Sequence, residues 1–411
     1  MKKIYVIIIV MCLGITSKAQ INVPDIANDK NWKPLTSDSA FNEEFDYTSY
    51  TDFNRNAKGI IWNPTVWGWD HDPINHNEQI YWSKDDNNDT TMVFHPDPNF
   101  GTGSANPDSS FLRIYLKRKH GRIATYISKN GTDSFVTCDY VTTPLSSSPK
   151  WKFGYFEISY RSPDWTATEY RNGNVYKTDL AGMSNAIWMY DQDKAHGITW
   201  SEIDLFENST GKNDLAANIH FLDTVTMSSR FDTYTDWDNH TYADYRKVPS
   251  MLYNNQWHTV SMEWTPKYVR IFNDGVLSME NTTHADELTK MGLIIGPDYN
   301  AYYNILGYRI DSFEIGDANT KFPYYVDLNH VKIWKLNMDS CGGTPTVLNK
   351  LDATTYPYGV KKSIRITGTA SSVITSGQKV TLRANDFIQI DKNFEARLGA
   401  TFEMIPTPCE Q

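Results

Sequence analysis

Cysteine is scarce in this chain, with four in 411 residues, and one of them, Cys12, lies in an apolar run near the start. So few cysteines exclude a disulfide-dense scaffold and leave burial of apolar surface to hold the fold. Long apolar runs are missing too. The run from Ile4 to Ile15 is about a dozen residues, short of the roughly 20 that span a bilayer. Preceded by Lys2-Lys3 and followed by Ser17-Lys18-Ala19, it reads as an export signal over residues 1–19, so the protein is expected to be secreted, released or held at the cell surface. Cys12 follows the bulky Met11, where a lipid anchor needs a small residue. Basic clusters are equally rare. The net charge is −10 and the longest cationic run is Lys117-Arg118-Lys119-His120, so neither nucleic acid nor an anionic membrane is expected as a partner.

Aromatic residues, in contrast, are abundant, with 13 Trp and 25 Tyr, and flat rings are surfaces on which the C–H faces of sugars stack. From about residue 40 to 338 the pattern is short runs of period-two alternation, as at Tyr155–Tyr160 and Val260–Trp264, divided by turns such as Asn273-Asp274-Gly275. No segment sustains a helical period. An antiparallel all-β sandwich follows, with the polar stretches 85–110, 164–184 and 223–250 as loops around it. At Asp339–Pro345 a run of small residues marks a boundary, giving a main domain over 20–338 and a β-rich module over 339–411. Within the module Ser376–Val380 is echoed 22 residues later by Leu398–Phe402, which suggests stacked short β-turns. Cys341 and Cys409 bracket this module and are expected to form a disulfide, while Cys138 reads as a small buried thiol.

The chemistry concentrates in Trp200-Ser201-Glu202-Ile203-Asp204-Leu205-Phe206-Glu207. On a strand, Glu202 and Asp204 share one face while Ile203 and Leu205 turn to the core. Glu207 is out of phase, and one inserted residue, most naturally Phe206, would return it to the acidic face. Four effective steps of ~3.3 Å separate the two glutamate backbones by ~13 Å. Side chains leaning together would then approach the ~5–5.5 Å of a retaining glycosidase pair. In this reading Glu202 is the nucleophile and Glu207 the acid/base. Asp204 orients the nucleophile and, as a third crowded carboxylate, helps retain a proton. The competing readings are a solvated acidic strand and a cation site, though a cation loop would call for alternating Gly and Asn.

The Glu-x-Asp-x-x-Glu run resembles the bulged signature of glycoside hydrolase family 16. The likeness extends to Glu44-Phe45, Asn77-Glu78-Gln79, Phe153–Glu157, Ala186-Ile187-Trp188 and His258–Pro266, covering residues 40–338. It implies a concanavalin-like jelly roll that cleaves β-linked polysaccharides internally with retention. It also implies that no cofactor is needed for the chemistry, and that a structural calcium ion is held in some members, for which Glu44 or Asp327 would be ligands here. Ser201 and Asn208 depart from the pattern of β-1,3-glucan members. The Ser-Glu-Ile-Asp form and Ala186–Tyr190 are similar to members that cut red-algal galactans of the carrageenan or agar type. The tail resembles the three-coathanger stack module of some secreted bacterial hydrolases, which implies display or attachment.

Trp188, Trp200 and His220 are candidate sugar contacts near the acids, each with ordinary core packing as the alternative. Trp67, Trp69 and Trp237 are candidate subsite walls in loops. A monomer acting on a polysaccharide is expected. Three rival functions stand beside the galactanase reading: a laminarinase, a transglycosylase using the same covalent intermediate, and a carbohydrate-binding protein without turnover.

Overall fold

The computed structural model describes residues 26, 31–35, 41–47, 50–57, 60–63, 79–81, 91–94, 111–127, 133–163, 169–171, 174–176, 183–190, 201–209, 216–223, 228–232, 255–282, 285, 288–299, 323–352, 357–407 and 409. At some strand positions, Glu207 and His220 among them, it describes the backbone alone. Trp67, Trp69, Trp200 and Trp237 lie outside the described residues. Among those residues no helix is long and apolar enough to cross a membrane.

Alternating apolar residues give each strand one oily face, and two sheets bury those faces against each other. Along its hydrogen-bonded path the ten-stranded sheet runs Val276–Asn281, Tyr268–Asn273, His258–Thr265, Gly154–Arg161, Tyr324–Trp334, Leu112–Ile127, Asp133–Thr142 and Gln79–Tyr81. The seven-stranded sheet runs Ser228–Asp232, Ala216–Asp223, Ser201–Ser209, Met183–Tyr190, Met291–Tyr299, Leu145–Trp151 and Trp62–Asn63. Pairing within both is antiparallel apart from Gln79–Tyr81 on Tyr140–Thr142. Leu145–Trp151 belongs to one sheet and Gly154–Arg161, two residues on, to the other. Such crossings make the molecule an all-β jelly-roll sandwich. One core joins Ile158, Met262 and Val331 to Ile187, Ile203 and Leu293. Gly296 is required where the sheet meets the turn before Leu145, since a Cβ there would lie 2.9 Å from Pro144 Cβ.

The stretches read as loops contain short strands: Met92–Phe94, Glu169–Arg171, Asn174–Tyr176 and Ser228–Asp232. Backbone pairing suffices for an edge strand, so a polar sequence such as Ser228–Asp232 forms one without apolar alternation. Both residues named as calcium ligands are engaged by basic side chains. Asp327 is wholly buried and clamped by two guanidiniums: Arg113 Nε and Nη2 donate to its carboxylate at 2.6 and 2.8 Å, and Arg161 Nη2 and Nε at 2.6 and 2.8 Å. Burial works against the Arg113 charge, but Asp327 more than offsets it and raises the pKa. Two buried positive charges make this no place for a cation. Glu44 pairs instead with Lys332 at 3.0 Å. Its neighbour Glu43 is the structural glutamate, accepting hydrogen bonds from Phe45 N, Tyr47 Oη and Trp62 Nε1 at 2.8, 2.8 and 3.0 Å. Burial raises its pKa above the ordinary carboxylate value despite those donors.

Asn273-Asp274-Gly275 closes a two-residue hairpin, with Asn273 opposite Val276 and positive φ at Asp274 (46°) and Gly275 (77°). Asp and Gly tolerate that geometry, and the turn matches the strand twist. Asp274 also accepts hydrogen bonds from His258 Nδ1 (2.7 Å) and Thr259 N (2.9 Å). Burial works to raise its pKa, but the His258 and Thr259 bonds outweigh it and hold the carboxyl below the ordinary value. A lowered carboxyl stabilises the fold above its unfolded pKa and loses that effect as pH falls through the folded one. Asp274→Asn should therefore lower the urea midpoint at pH 6, with the gap to wild type narrowing as the pH falls below the ordinary Asp value of about 3.9. A gap unchanged between those pH values would show that the carboxylate charge is not what matters.

Residues 346–352 and 357–406 form a parallel β-coil, in three narrow sheets, around Leu351, Ile364, Ile366, Ile374, Val380 and Leu382. Lys379–Ala384 lies on Thr401–Pro406 with Lys379 opposite Thr401, the same offset of 22 residues that appears as an echo in the sequence. Cys341 and Cys409 are joined in a disulfide, Cα–Cα 5.6 Å, that ties the start of the coil segment to its end.

Candidate active site

The strand Ser201–Ser209 sits in the middle of the seven-stranded sheet, between Met183–Tyr190 and Ala216–Asp223. Ile203, Leu205 and Phe206 are all fully buried, and Phe206 packs on Tyr160 at 4.9 Å between ring centroids. Consecutive buried residues 205 and 206 mark the break in alternation. In register, Tyr190 lies opposite Glu202, Trp188 opposite Asp204, Ile187 opposite Phe206 and Ala186 opposite Glu207. Leu205 is thus the unpaired residue, whereas the sequence points to Phe206. Phe206 keeps its place because it stays aligned with Ile187 on the core side. On the other flank Glu202 lies opposite His220, Asp204 opposite Asn218 and Glu207 opposite Ala216, with the same slip.

The bulge has one consequence for chemistry. Ala186, Trp188 and Tyr190 share a face by the two-residue strand period, so the register places positions 202, 204 and 207 in phase on that face. This face turns away from the core: Glu202, Trp188 and Tyr190 are half-buried, while Ile187 and Met189 between them are sealed in the core. Asp204 is 4% exposed and Asn218 beside it 8%. Trp188 and Tyr190 meet edge to face at 5.8 Å and rest on Ile294 of the next strand. The side chains of Glu207 and His220 are outside the described set. Beneath the acids, buried Ser201 accepts a hydrogen bond from Thr289 N at 3.0 Å. The serine that departs from the β-1,3-glucan pattern is therefore used by the fold.

Two residues on this face escaped sequence reasoning, Tyr190 and Asn218. Tyr190 is two residues from Trp188, so strand alternation alone places it on the same face. Asn218 is likewise two residues from His220, and the pairing register sets it opposite Asp204. A further member of the face is Lys150. The row Glu202, Tyr190, Gly292, Lys150 runs across four neighbouring strands. At ~4.8 Å per strand it puts the Lys150 backbone ~14 Å from that of Glu202.

No protein-family model matches the chain. It is 27% identical over 200 residues to a protein named Beta-glucanase from Paenibacillus macerans, spanning 46% of this chain and 72% of the relative. With Beta-glucanase from Paenibacillus polymyxa the identity is 25% over 194 residues, 44% of this chain and 70% of the relative. Among solved structures it is similar to the kappa-carrageenase of Pseudoalteromonas carrageenovora, with 14% identity, 74% of this chain and 98% of that chain covered, and a TM-score of 0.47. The catalytic domain of a Thermotoga petrophila endo-1,3-beta-glucanase (laminarinase) gives 16% identity, the same coverages and a TM-score of 0.44.

Proposed function

We infer that the chain is a secreted glycoside hydrolase of the family 16 type, cutting a β-linked algal polysaccharide internally with retention of configuration. The observation that carries this reading is the slip at Leu205, which aligns positions 202, 204 and 207 opposite Tyr190, Trp188 and Ala186. Glu202 attacks the anomeric carbon as the glycosidic C–O bond breaks, and the proton on Glu207 passes to the departing oxygen. Glu207, now ionised, takes a proton from water as that water attacks the anomeric carbon and releases Glu202. Asp204, nearly buried between them, holds the nucleophile in place. Trp188 and Tyr190 offer the sugar a stacking surface. No cofactor enters these steps.

Among algal polymers we favour a red-algal galactan, and Lys150 supports it. A half-buried cation several sugar units along the row from Glu202 suits a sulfated chain better than a neutral one. Lys150→Met is expected to raise KM on a sulfated galactan about tenfold with kcat nearly unchanged, the pattern of lost uniform binding. Unchanged KM would leave that preference without support. The names of the Paenibacillus relatives favour the second reading, a β-glucanase.

Incubating the purified protein with carrageenans, agar, porphyran, laminarin and a mixed-linkage glucan separates these readings through reducing ends and product sizes. Oligosaccharides from a sulfated galactan alone support the first, and from laminarin or the mixed-linkage glucan alone the second. Added oligosaccharide acceptors that lengthen the products would indicate transglycosylation. A polymer bound yet uncut by wild type would make this a binding protein.

A further inference from the structure

The β-coil meets the sandwich on the outer face of the ten-stranded sheet, and the contact is buried and polar. Arg383 of the coil donates through Nη2 to Glu263 Oε1 at 3.0 Å, with side-chain exposures of 2% and 5%. Glu263 stands opposite Tyr155 on neighbouring strands, between Met262 and Trp264, which point into the core. It therefore faces out of the sandwich, and Arg383 is what covers it. Arg270 approaches the same carboxylate at 4.0 Å, and Arg383 lies 5.9 Å from the Trp32 ring.

The segment 31–35 fastens the same junction. Asn31, fully buried, donates to Thr381 O (3.2 Å) and accepts from Gly359 N (2.8 Å), while its own carbonyl accepts from Asn337 N (2.7 Å). Trp32 next to it packs with Tyr155, Trp334 and Leu336. Backbone atoms of Asn337 and Val360 continue the connection at 2.8 Å. A tethered module would leave these groups wet. Here a charge pair and an asparagine lose their water on docking, and Arg383 and Asn31 both reach across the junction for partners.

We propose that the C-terminal coil is a fixed part of the catalytic body, locked by Arg383 and Asn31 to the back of the sandwich. The acid-bearing face belongs to the other sheet and points away from it. The coil accordingly adds no sugar subsite. It sets the direction in which that face is presented and stabilises the sandwich.

The test uses the full chain and two readouts. Arg383→Met and Glu263→Gln should each lower the midpoint of a single thermal transition, by about 5–10 °C, since each removes one side of a buried charge pair. The double variant should lie nearer to wild type than the sum of the two, because the pair is then removed from both sides. At 25 °C the kcat and KM of every variant should equal those of wild type on whichever polymer is cleaved. Two separate transitions in wild type, additive or absent shifts, or a changed KM with an unchanged midpoint would each overturn the proposal. The thermal readout stands even if no polymer in the panel is cut.

Discussion

Glu202→Gln is expected to lower kcat by about four orders of magnitude on the cleaved polymer, with substrate still bound and the fold intact. The amide keeps the shape of the carboxylate on a half-buried position but cannot form the glycosyl bond. Glu207→Gln should also abolish cleavage of the polymer. It differs in one respect: a substrate with a good leaving group needs no proton, so the first step on an aryl glycoside should largely survive in Glu207→Gln and not in Glu202→Gln. Equal losses on both substrates would remove the distinction between nucleophile and acid. Asp204→Asn should fall between wild type and the two glutamate variants, because it orients without bonding to the sugar.

The largest expected effect on stability lies far from the acids. Asp327→Ala would remove the carboxylate that both Arg113 and Arg161 clamp, in a position where both side chains are almost completely enclosed. Breaking a buried pair from one side costs roughly 3–5 kcal/mol, and here two cations lose the same carboxylate. Tyr325, lying 3.8 Å from the Arg113 guanidinium, and Trp257, 4.7 Å from that of Arg161, cannot replace a carboxylate. Denaturant unfolding should show a midpoint shifted far more than in a surface control such as Asp391→Ala, which breaks only exposed contacts with Arg365 and Gln389. A shift no larger than the control's would mean that the clamp is not what stabilises this part of the sheet.

Local features of the fold were open to reading because they depend on neighbours in sequence. The alternation at Tyr155–Tyr160 and Val260–Trp264, the Asn273-Asp274-Gly275 hairpin and the opposite faces of Ile203 and Asp204 are of this kind. The Cys341–Cys409 bridge was legible because few cysteines were left to pair. The identity of the bulged residue was not. Leu205 and Phe206 are equally apolar, and only pairing with Ile187 on another strand decides between them. The clamp on Asp327 joins residues 166 and 214 positions apart, and Arg383 reaches Glu263 across 120. No local pattern signals such partners. Nothing local marks Glu43, next to the Glu44-Phe45 motif, as the buried glutamate, because its burial comes from tertiary packing around Trp62 and Tyr47.

The configuration of the first product tests the central claim most directly. Proton NMR of the cleaved β-linked polymer, followed through the first minutes, reports whether the new reducing end is released as β or α anomer before mutarotation mixes them. A double displacement through Glu202 predicts the β anomer first. The α anomer first would mean that water attacks directly, and the covalent role given to Glu202 would be wrong.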